Sequence, residues 1–526
     1  MLPDASKPAT APAAAPLRRV VAWPWAAILL GGIVLLGAAL RLANLGAKSL
    51  WIDEAFSIWM ARQPPDAIWR LTVHLDQHPP LYYLLLHGWM RLFGDSEAAA
   101  RGLSALCGIA TIPLLAALGA RVAPGPAPGR LAALLLAVAP LHVRHAQEAR
   151  MYTLLTLAAG LTLLCMLRLL DAPAARERWI FARTEWRGAN PWWLGFIGGT
   201  ALTLLSHNTA ILFAVAVAGF IAGAFGPPAL RHGLRADRRL LNWSAALGLA
   251  LLLWLPWLPF ELVQVRRVAA EFWVQPLTRQ TVLEHWYSLV NAFGPSGAAR
   301  YPLLALFGGL ALLGAWRLRQ RPATVALLLV LILVPFAGEL LVSLHRPIFL
   351  TRTLLWTTLP LYLLLAGGLC GLRIRPLIGM AALAIVLLNL SALRSYYRNA
   401  QAEDWRGAAV RVAQAVRPGD VVLFNAGWMQ IPFDYYYQRV GPPVAEHGLP
   451  ADLFTRGILE PKMTTADLPR LRQLITGHSR VWLLYSHNWY TDPQGIILRD
   501  LRATLIEEPV PDVKGIAIYR FRVSPN

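Results

Sequence analysis

The sequence predicts a polytopic α-helical membrane protein with a small α/β domain at its C-terminal end. Of the 526 residues, 56% are hydrophobic and only 15% are charged, and the mean hydropathy is +0.47. Many apolar stretches reach the roughly 20 residues that a helix needs to cross a bilayer. From about residue 394, alternating amphipathic and short strand-like segments replace them. This composition excludes an ordinary soluble globular protein over most of the chain.

The first residues predict a cytoplasmic tail followed by an uncleaved first helix. Residues 1–19 are rich in Ala and Pro and are expected to be disordered. Arg18 and Arg19 precede an apolar run that is too long for the core of a signal peptide and that lacks a small-residue cleavage site. The predicted membrane domain therefore covers residues 20–393.

About eleven transmembrane helices are predicted in this domain. The segment 43–93 is set apart from them, because its Trp- and Tyr-rich amphipathic runs favour helices that lie in the membrane interface. The predicted spans lie near residues 20–42, 98–121, 130–141, 150–170, 191–206, 209–225, 241–260, 301–317, 323–343, 353–372 and 376–393.

Membrane topology explains the formal net charge of +20. Lys and Arg are concentrated in alternate loops between the predicted spans, as the positive-inside rule requires of cytoplasmic loops. The pattern places the N-terminus in the cytoplasm and residues 394–526 outside it. Part of the excess charge is expected to contact anionic membrane lipids, and nucleic acid is not a predicted partner.

Residues 394–526 predict the extracytoplasmic α/β domain. Three helix-like runs, EDWRGAAVRVAQAV, LPRLRQLIT and DPQGIILRDLRATL, each precede a strand-like run: VVLFNA, VWLLYS and GIAIYRFRV. This alternation is typical of α/β folds. The domain contains no Gly-rich nucleotide-binding loop in its sequence.

Asp53 and Glu54, in the segment that follows the first span, are the candidate catalytic residues. Ionisable groups at membrane depth cost roughly 2.5–3.5 kcal/mol each on insertion scales, so they are functional candidates by default. Trp51 and Phe56 flank the pair, and Asp53 is expected in a partly desolvated, apolar setting in which it could act as a general base. The alternative is that both carboxylates only cap the following helix.

The segment LDQHPPLYY, residues 75–83, contains the next candidates for substrate or phosphate binding. Its double proline fits the first turn of a helix. His78 is expected at the start of that helix and Tyr82 within it. A histidine in this place could contact a phosphate or a metal, or could be only a structural hydrogen-bonding residue.

The segment HVRHAQEARMY, residues 142–152, adds Glu148, Arg150 and Tyr152. On one continuous helix, His145, Glu148 and Tyr152 would share a face, and Arg144 would pair with Glu148 at a spacing of four residues. The alternative is a salt-bridged helix end at the membrane surface.

Further candidates lie between later spans, on the same predicted side of the membrane. Arginine is suited to bidentate contacts with phosphate, although each of these residues alone could be an interfacial anchor. Together with the carboxylates they suit transfer chemistry on an anionic, lipid-linked substrate. They are His207, His345, Arg346 and Arg352.

Cofactor use is left open by the sequence. His78, Glu148 and His207 have the chemistry of divalent-metal ligands. The chain contains neither H-E-x-x-H nor D-x-D, however, so no cofactor is assigned. The three cysteines, Cys107, Cys165 and Cys370, lie in apolar runs and predict small core residues.

Several of these runs together resemble the bacterial glycosyltransferase family 39-like membrane proteins of the GT-C fold class. This family is related to protein O-mannosyltransferases and to the aminoarabinose transferase of lipid A. The resemblance is strongest in LWIDEAFSIWMARQ, HPPLYYLLLHGWMRLFGDSEAAARGLSALCG and PLHVRHAQEARMYTLL, and continues more loosely in FWVQP, RPIFLTRTLLWTTLP and EDWRGAA.

The resemblance implies an inverting glycosyltransferase in the bacterial inner membrane. It would move a sugar from a polyprenyl-phosphate carrier to a lipid, glycan or protein acceptor on the extracytoplasmic side. By the same resemblance, Asp53 matches the acidic residue of the first external loop, a general base or acceptor-positioning group. Glu148 and Arg150 match the second external-loop motif, and Arg352 resembles the basic residue that meets the carrier phosphate.

Two positions depart from the pattern of the lipid A-modifying relatives. Gln77 stands where those relatives have an acidic metal ligand, and His78 where they have a phosphate-binding lysine. These departures argue against a bound metal and against aminoarabinose as the sugar. Two other functions remain open from the sequence alone: a transporter or flippase of lipid-linked sugars, and a noncatalytic membrane assembly subunit.

Overall fold

The computed structural model describes residues 24–171, 179, 191–234, 237–270, 274, 276–372, 374–399, 403–453 and 461–523. The predicted disordered tail, residues 1–19, lies outside these ranges, as does most of the basic loop after the fourth predicted span. The described chain forms a multi-pass helical membrane domain followed by a smaller α/β domain.

Helices alone form the described part of the chain before residue 400. They are α1 (Pro24–Leu42), α2 (Ile52–Ala61), α3 (Pro65–Leu75), α4 (Leu81–Phe93), α5 (Glu97–Val122), α6 (Ala127–Ala137), α7 (Pro140–Ala146), α8 (Tyr152–Leu170), α9 (Pro191–Ser206), α10 (Ile211–His232), α11 (Arg239–Trp254), α12 (Leu258–Ala270), α13 (Arg279–Asn291), α14 (Arg300–Arg317), α15 (Pro322–Ser343), α16 (Thr358–Cys370) and α17 (Arg375–Asn399).

Within the described ranges, eight helical segments are long and apolar enough to cross a membrane. They are α1, α5, α8, α10, α11 continued by α12, α14, α15 and α17. The shorter helices α6, α9 and α16, with 11, 16 and 13 residues, lie at the other three predicted positions. The number of eleven spans therefore stays a prediction.

The third predicted span, near residues 130–141, is interrupted. Helix α6 ends at Ala137, and α7 starts only at Pro140. Carbonyl groups at a helix end inside a membrane need other donors. The buried Arg41 guanidinium on α1 supplies them, because it donates to the carbonyls of Leu136 and Ala137 at 3.0 Å each.

Helices α5 and α6 pack through glycines. A Cβ atom on Gly119 would lie 2.4 Å from the Cα atom of Gly129, so the two backbones could not approach this closely with any larger residue. Small residues serve this purpose in many membrane-helix pairs. The contact fixes the first turn of α6, which contains Gly129, against the long span α5.

Helices α2, α3 and α4 form the predicted interfacial segment. With 10, 11 and 13 residues they are shorter than a membrane span. Most of α2 is buried, including Ala55, Phe56 and Ile58. The position of these helices in the interface plane stays a prediction.

The α/β domain predicted for the C-terminal part is confirmed. Its elements are α18 (Trp405–Ala415), β1 (Asp420–Asn425), α19 (Gln430–Tyr437), β2 (Ala445–Leu449), α20 (Leu468–Ile475), β3 (Arg480–Tyr485), α21 (Asn488–Thr491), α22 (Ile496–Thr504), β4 (Ile506–Glu508) and β5 (Ala517–Arg522). The sheet order is β2-β1-β3-β5-β4, with β1 parallel to β2 and β3, and with β5 antiparallel to β3 and β4.

This domain docks on the segment that leads into α2. The backbone N–H of Leu50 donates to the Tyr436 hydroxyl at 2.8 Å, and the N–H of Arg406 donates to Ser49 Oγ at 3.1 Å. Trp428 contacts Phe56 edge-on, with 5.7 Å between ring centroids. The C-terminal domain therefore helps to fix the start of the helix that carries Asp53 and Glu54.

Candidate active site

Asp53 lies in the first turn of α2 and faces two arginines from distant parts of the chain. Its Oδ2 atom is 3.3 Å from Arg352 Nη1 and 3.9 Å from Arg150 Nη2. The Asp53 side chain keeps 27% of its surface exposed, so a ligand can reach it. The apolar setting expected from Trp51 and Phe56 is wrong in this respect, because two guanidinium groups flank the carboxylate.

Three polar groups hold the Arg150 guanidinium in place. Its Nη1 atom lies 3.3 Å from the carbonyl of Asp53, 3.2 Å from Ser57 Oγ and 3.4 Å from the Tyr83 hydroxyl. The residue is buried. Ser57 Oγ also donates to the Asp53 carbonyl at 2.8 Å, which ties the first turn of α2 to the same cluster. Arg150 is thus a fixed positive charge next to the Asp53 carboxylate.

The continuous helix expected over residues 142–152 is wrong. Helix α7 ends at Ala146, and α8 begins at Tyr152, so Glu148 and Arg150 lie in the turn between them. The turn lets Arg150 point at Asp53, whereas a straight helix would fix its direction along the helix surface. The predicted pair of Arg144 with Glu148 is confirmed, with 2.9 Å between Nε and Oε1.

Both carboxylate oxygens of Glu148 accept hydrogen bonds from neighbouring side chains. Besides Arg144, the His145 Nδ1–H donates to its second oxygen, Oε2, at 2.8 Å. Burial raises the pKa of Glu148, but Arg144 and His145 outweigh this effect and hold that pKa well below the ordinary value. Glu148 is therefore a permanent carboxylate, and it fixes the His145 ring, whose centroid is 5.2 Å from that of Tyr152.

Glu54 has a different environment from its neighbour Asp53. It is buried, and its two oxygens accept from Arg101 Nε and Nη2 at 2.7 Å each. The backbone N–H of Ala149 donates to the same carboxylate at 2.9 Å. These bonds join α2, α5 and the turn after α7. The contacts favour a structural role for Glu54, and a catalytic role for it stays a prediction.

A second polar group lies beside this cluster. The His78 Nδ1–H donates to Asp76 Oδ1 at 3.1 Å, and the rings of His78 and His207 are 4.8 Å apart. His207 Nδ1 accepts from the backbone N–H of Thr209 at 3.1 Å. Burial, His78 and Arg150 hold the pKa of His207 well below the ordinary value, so this ring is neutral and carries its proton on Nε2.

Asp76 was not a candidate from the sequence, although it is buried next to His78. Burial raises its pKa, but His78 and Arg150 outweigh this effect and lower it. Its position two residues before His78 was the only signal in the sequence, and that signal is weak. Arg101 was missed for a similar reason: nothing in the sequence of span α5 shows that its one early arginine faces Glu54.

The described residues do not fit a resident metal ion. No group of three or more His, Cys, Asp or Glu side chains in the described ranges is placed to hold one. Of the candidate ligands, His78 and His207 are neighbours, but the oxygens of Glu148 are taken by Arg144 and His145.

The remaining candidates divide into those near Asp53 and those away from it. The Arg352 guanidinium lies 5.8 Å from the Trp51 ring and 5.7 Å from the ring of the buried Tyr152. Tyr82 is buried behind the cluster, with its hydroxyl 2.9 Å from Ser104 Oγ. His345 and Arg346 are exposed in the turn after α15, and the structure does not bring them into the cluster.

Part of the chain matches a protein family in sequence, and its fold matches those of solved structures. Residues 77–260 match the family model for dolichyl-phosphate-mannose-protein mannosyltransferases. The structure of ArnT from Cupriavidus metallidurans in the apo state aligns with a TM-score of 0.60 and 17% identity, over 96% of this chain and 99% of that one. The chain has the GT-C glycosyltransferase fold. No curated protein matches it significantly in sequence.

Two further structures with this fold hold ligands. ArnT from Cupriavidus metallidurans bound to undecaprenyl phosphate aligns with a TM-score of 0.59 and 18% identity, over 96% of this chain and 100% of that one. The archaeal oligosaccharyltransferase AglB from Archaeoglobus fulgidus, in complex with an inhibitory peptide and a dolichol-phosphate, aligns with a TM-score of 0.53 and 12% identity, over 89% and 70% of the two chains. The fold resemblance predicted from the sequence is confirmed.

Proposed function

We propose that the protein is an inverting glycosyltransferase that moves a sugar from a polyprenyl-phosphate carrier to a lipid, glycan or protein acceptor. The observation that carries this proposal is the accessible Asp53 carboxylate between Arg150 and Arg352. A carboxylate of this kind can accept a proton, and the guanidiniums can bind a phosphate. The undecaprenyl phosphate in ArnT and the dolichol-phosphate in AglB support a lipid phosphate as the carrier.

The reaction can be written with the residues of this chain. The acceptor hydroxyl oxygen attacks the anomeric carbon of the sugar, and Asp53 takes the hydroxyl proton. The bond from that carbon to the phosphate oxygen breaks on the opposite face, so the configuration inverts. The polyprenyl phosphate leaves as an anion, and Arg352 stabilises the charge that develops on it.

Arg352 links Asp53 to the proposed carrier site. Its Nη1 atom lies 3.3 Å from Asp53 Oδ2. A bound phosphate would compete for the same guanidinium and would weaken its hold on Asp53. Arg150, which is buried and bonded on three sides, would stay in place.

The predicted location supports this reaction. We place the reaction on the extracytoplasmic side of a bacterial inner membrane, where the positive-inside pattern puts α2 and the α/β domain. A transporter of lipid-linked sugars is not favoured, since the matching family and folds are glycosyltransferases. Measured sugar transfer by the purified protein would exclude the alternative of a noncatalytic subunit.

The experiment is a transfer assay combined with carrier binding. Purified protein in nanodiscs would be given a panel of radiolabelled polyprenyl-phosphate sugars and membrane-extract acceptors. Undecaprenyl phosphate binding would be measured for wild type, Arg352→Gln and Arg346→Gln. Losing a charge-assisted bond of about 1.5–3 kcal/mol predicts roughly 10- to 100-fold weaker binding for Arg352→Gln.

Arg346→Gln is the matched control, because Arg346 lies on the same connection between α15 and α16 but is exposed and has no described contact with Asp53. Its binding should match wild type. Equal affinity of wild type and Arg352→Gln would remove Arg352 from the carrier site. No transfer from any donor, with carrier binding intact, would contradict the enzyme proposal.

A further inference from the structure

A buried glutamate in span α15 has no part in the chemistry described above. Glu339 is one turn from the end of α15 and is 1% exposed. Within the described ranges it has no ion-pair partner, and its Oε2 atom lies 2.8 Å from the hydroxyl of Thr353. Thr353 lies on the connection between α15 and α16. It directly follows Arg352, which contacts Asp53.

We propose that Glu339 is a positioning residue that holds Arg352 at the reaction centre through Thr353. The inference rests on the proposed function, since it concerns how Arg352 is aimed. Glu339 touches neither Asp53 nor the predicted carrier site. It acts through its hydrogen bond to the residue next to Arg352.

The two contacts of the Thr353 hydroxyl favour one protonation state of Glu339. The Thr353 hydroxyl has one proton, and its oxygen lies 2.6 Å from the carbonyl of Leu350 and 2.8 Å from Glu339. A carbonyl and an ionised carboxylate both only accept, so the single hydroxyl proton cannot fully satisfy both contacts. As a neutral carboxylic acid, Glu339 instead donates to the Thr353 oxygen and leaves the hydroxyl proton to Leu350. An unpaired, ionised carboxylate buried at this depth would also be costly.

The bonds therefore run in one direction, from Glu339 to Thr353 to Leu350. They close the turn that carries Arg352 onto the end of α15. Other contacts hold the earlier part of the connection: the N–H of Ile348 donates to Ser343 Oγ at 3.1 Å, and the Phe349 ring packs on Phe336 at 5.1 Å. Backbone bonds also shape the turn itself, from the N–H of Thr353 to the carbonyl of Leu350 at 3.2 Å and from the N–H of Leu355 to the carbonyl of Arg352 at 3.4 Å. The Glu339 bond differs from these because it joins the turn to α15.

This hydrogen-bond direction predicts which substitutions the site tolerates. Glu339→Gln keeps the length of the side chain and an N–H donor, so it should keep wild-type activity within about twofold. Glu339→Leu keeps the bulk but removes the donor. A displacement of roughly 1 Å near a reaction centre can cost about 100-fold. We expect Glu339→Leu to lower kcat/KM about 10- to 100-fold and to weaken binding of undecaprenyl phosphate.

The double variant tests whether Glu339 acts through Arg352. Binding of undecaprenyl phosphate would be measured for Arg352→Gln with and without Glu339→Leu. If Glu339 works only by aiming Arg352, the second substitution adds little once the guanidinium is gone. A purely structural role predicts an equal further loss in both backgrounds.

Glu261→Leu is the matched control, because Glu261 is another buried glutamate of the membrane domain and lies on α12, away from this connection. Gel filtration in detergent reports whether each variant folds. An active wild type with an equally active Glu339→Leu would overturn the inference and leave the proposed function intact. A Glu339→Gln variant that is folded but inactive would also overturn it. An inactive wild type would instead contradict the proposed function.

Discussion

Removing one partner of the Glu54–Arg101 pair should destabilise the protein more than removing one partner of any exposed ion pair described in the chain. Both side chains are buried, at 2% and 3% exposure, and two bonds of 2.7 Å join them. Arg101 also donates to the carbonyls of Leu45 and Lys48 at 2.8 and 2.9 Å. Arg101→Met would leave a buried carboxylate without its cation, and such losses cost about 3–5 kcal/mol.

The assay is thermal unfolding in detergent, with a surface pair as control. Arg62 and Asp95 also form an ion pair, but their side chains are 36% and 42% exposed. Exposed pairs contribute about 0–1 kcal/mol, so Arg62→Met should change the melting temperature little. Arg101→Met should lower it by several degrees or prevent folding. Glu54→Gln in the Arg101→Met background should recover part of the loss, because it removes the uncompensated charge. Equal melting temperatures for Arg101→Met and Arg62→Met would refute this reasoning.

Two other predictions concern stability. Arg41→Met removes the guanidinium that donates to the carbonyls of Leu136 and Ala137, and only the Leu136 carbonyl keeps a described backbone donor, the N–H of Ala139. The substitution should therefore lower the melting temperature clearly more than the exposed control Arg70→Met on α3; equal effects would contradict the capping role. In the C-terminal domain, burial and the neighbouring Glu446 raise the pKa of Asp434 to about 8. The folded state thus favours the neutral acid of Asp434. Its contribution to the free energy of unfolding is complete below the unfolded pKa of about 3.9, and it is lost as the pH rises towards 8. Asp434→Asn should therefore raise the melting temperature at pH 8, with a gain that shrinks towards pH 4; a gain independent of pH would contradict the assignment.

Local sequence patterns were enough to predict the architecture. Long apolar runs and alternate basic loops depend on nearby residues alone, and the eight long spans follow them. The same holds for α18, β1, β3 and β5, whose periodicity is plain. The short strands β2 and β4 were missed. Residues 445–449 contain Glu, His and Gly, and β4 has only three residues, so neither gives an apolar alternation.

The surroundings of Asp53 could not be predicted in the same way. Its sequence neighbours are apolar, but its ionic partners lie 97 and 299 positions further along the chain, at Arg150 and Arg352. Both had been named as candidates, yet only the fold shows that they meet one carboxylate. His345 and Arg346 carry similar chemistry and precede Arg352 closely, but the turn leaves them exposed. Residue type therefore identified the candidates, and tertiary packing selected among them.

The interrupted helix over residues 142–152 shows a second limit. The spacing of His145, Glu148 and Tyr152 fits a helix, and the pair of Arg144 with Glu148 does form. The helix nevertheless ends at Ala146, and the backbone N–H of Ala149 then donates to Glu54 instead of to a helical carbonyl. A tertiary bond to a distant carboxylate thus outweighs the local pattern.

The central claim is that Asp53 is the base at the reaction centre of a glycosyltransferase. The most direct test is the single-turnover rate of sugar transfer by wild type, Asp53→Asn and Asp66→Asn, with saturating donor. Asp66 is an exposed acid on α3, paired at the surface with Arg70, and serves as the control. General-base catalysis contributes about 100- to 10,000-fold, so Asp53→Asn should lose that much rate while it still binds undecaprenyl phosphate. A folded Asp53→Asn protein that transfers sugar at the wild-type rate would contradict the claim.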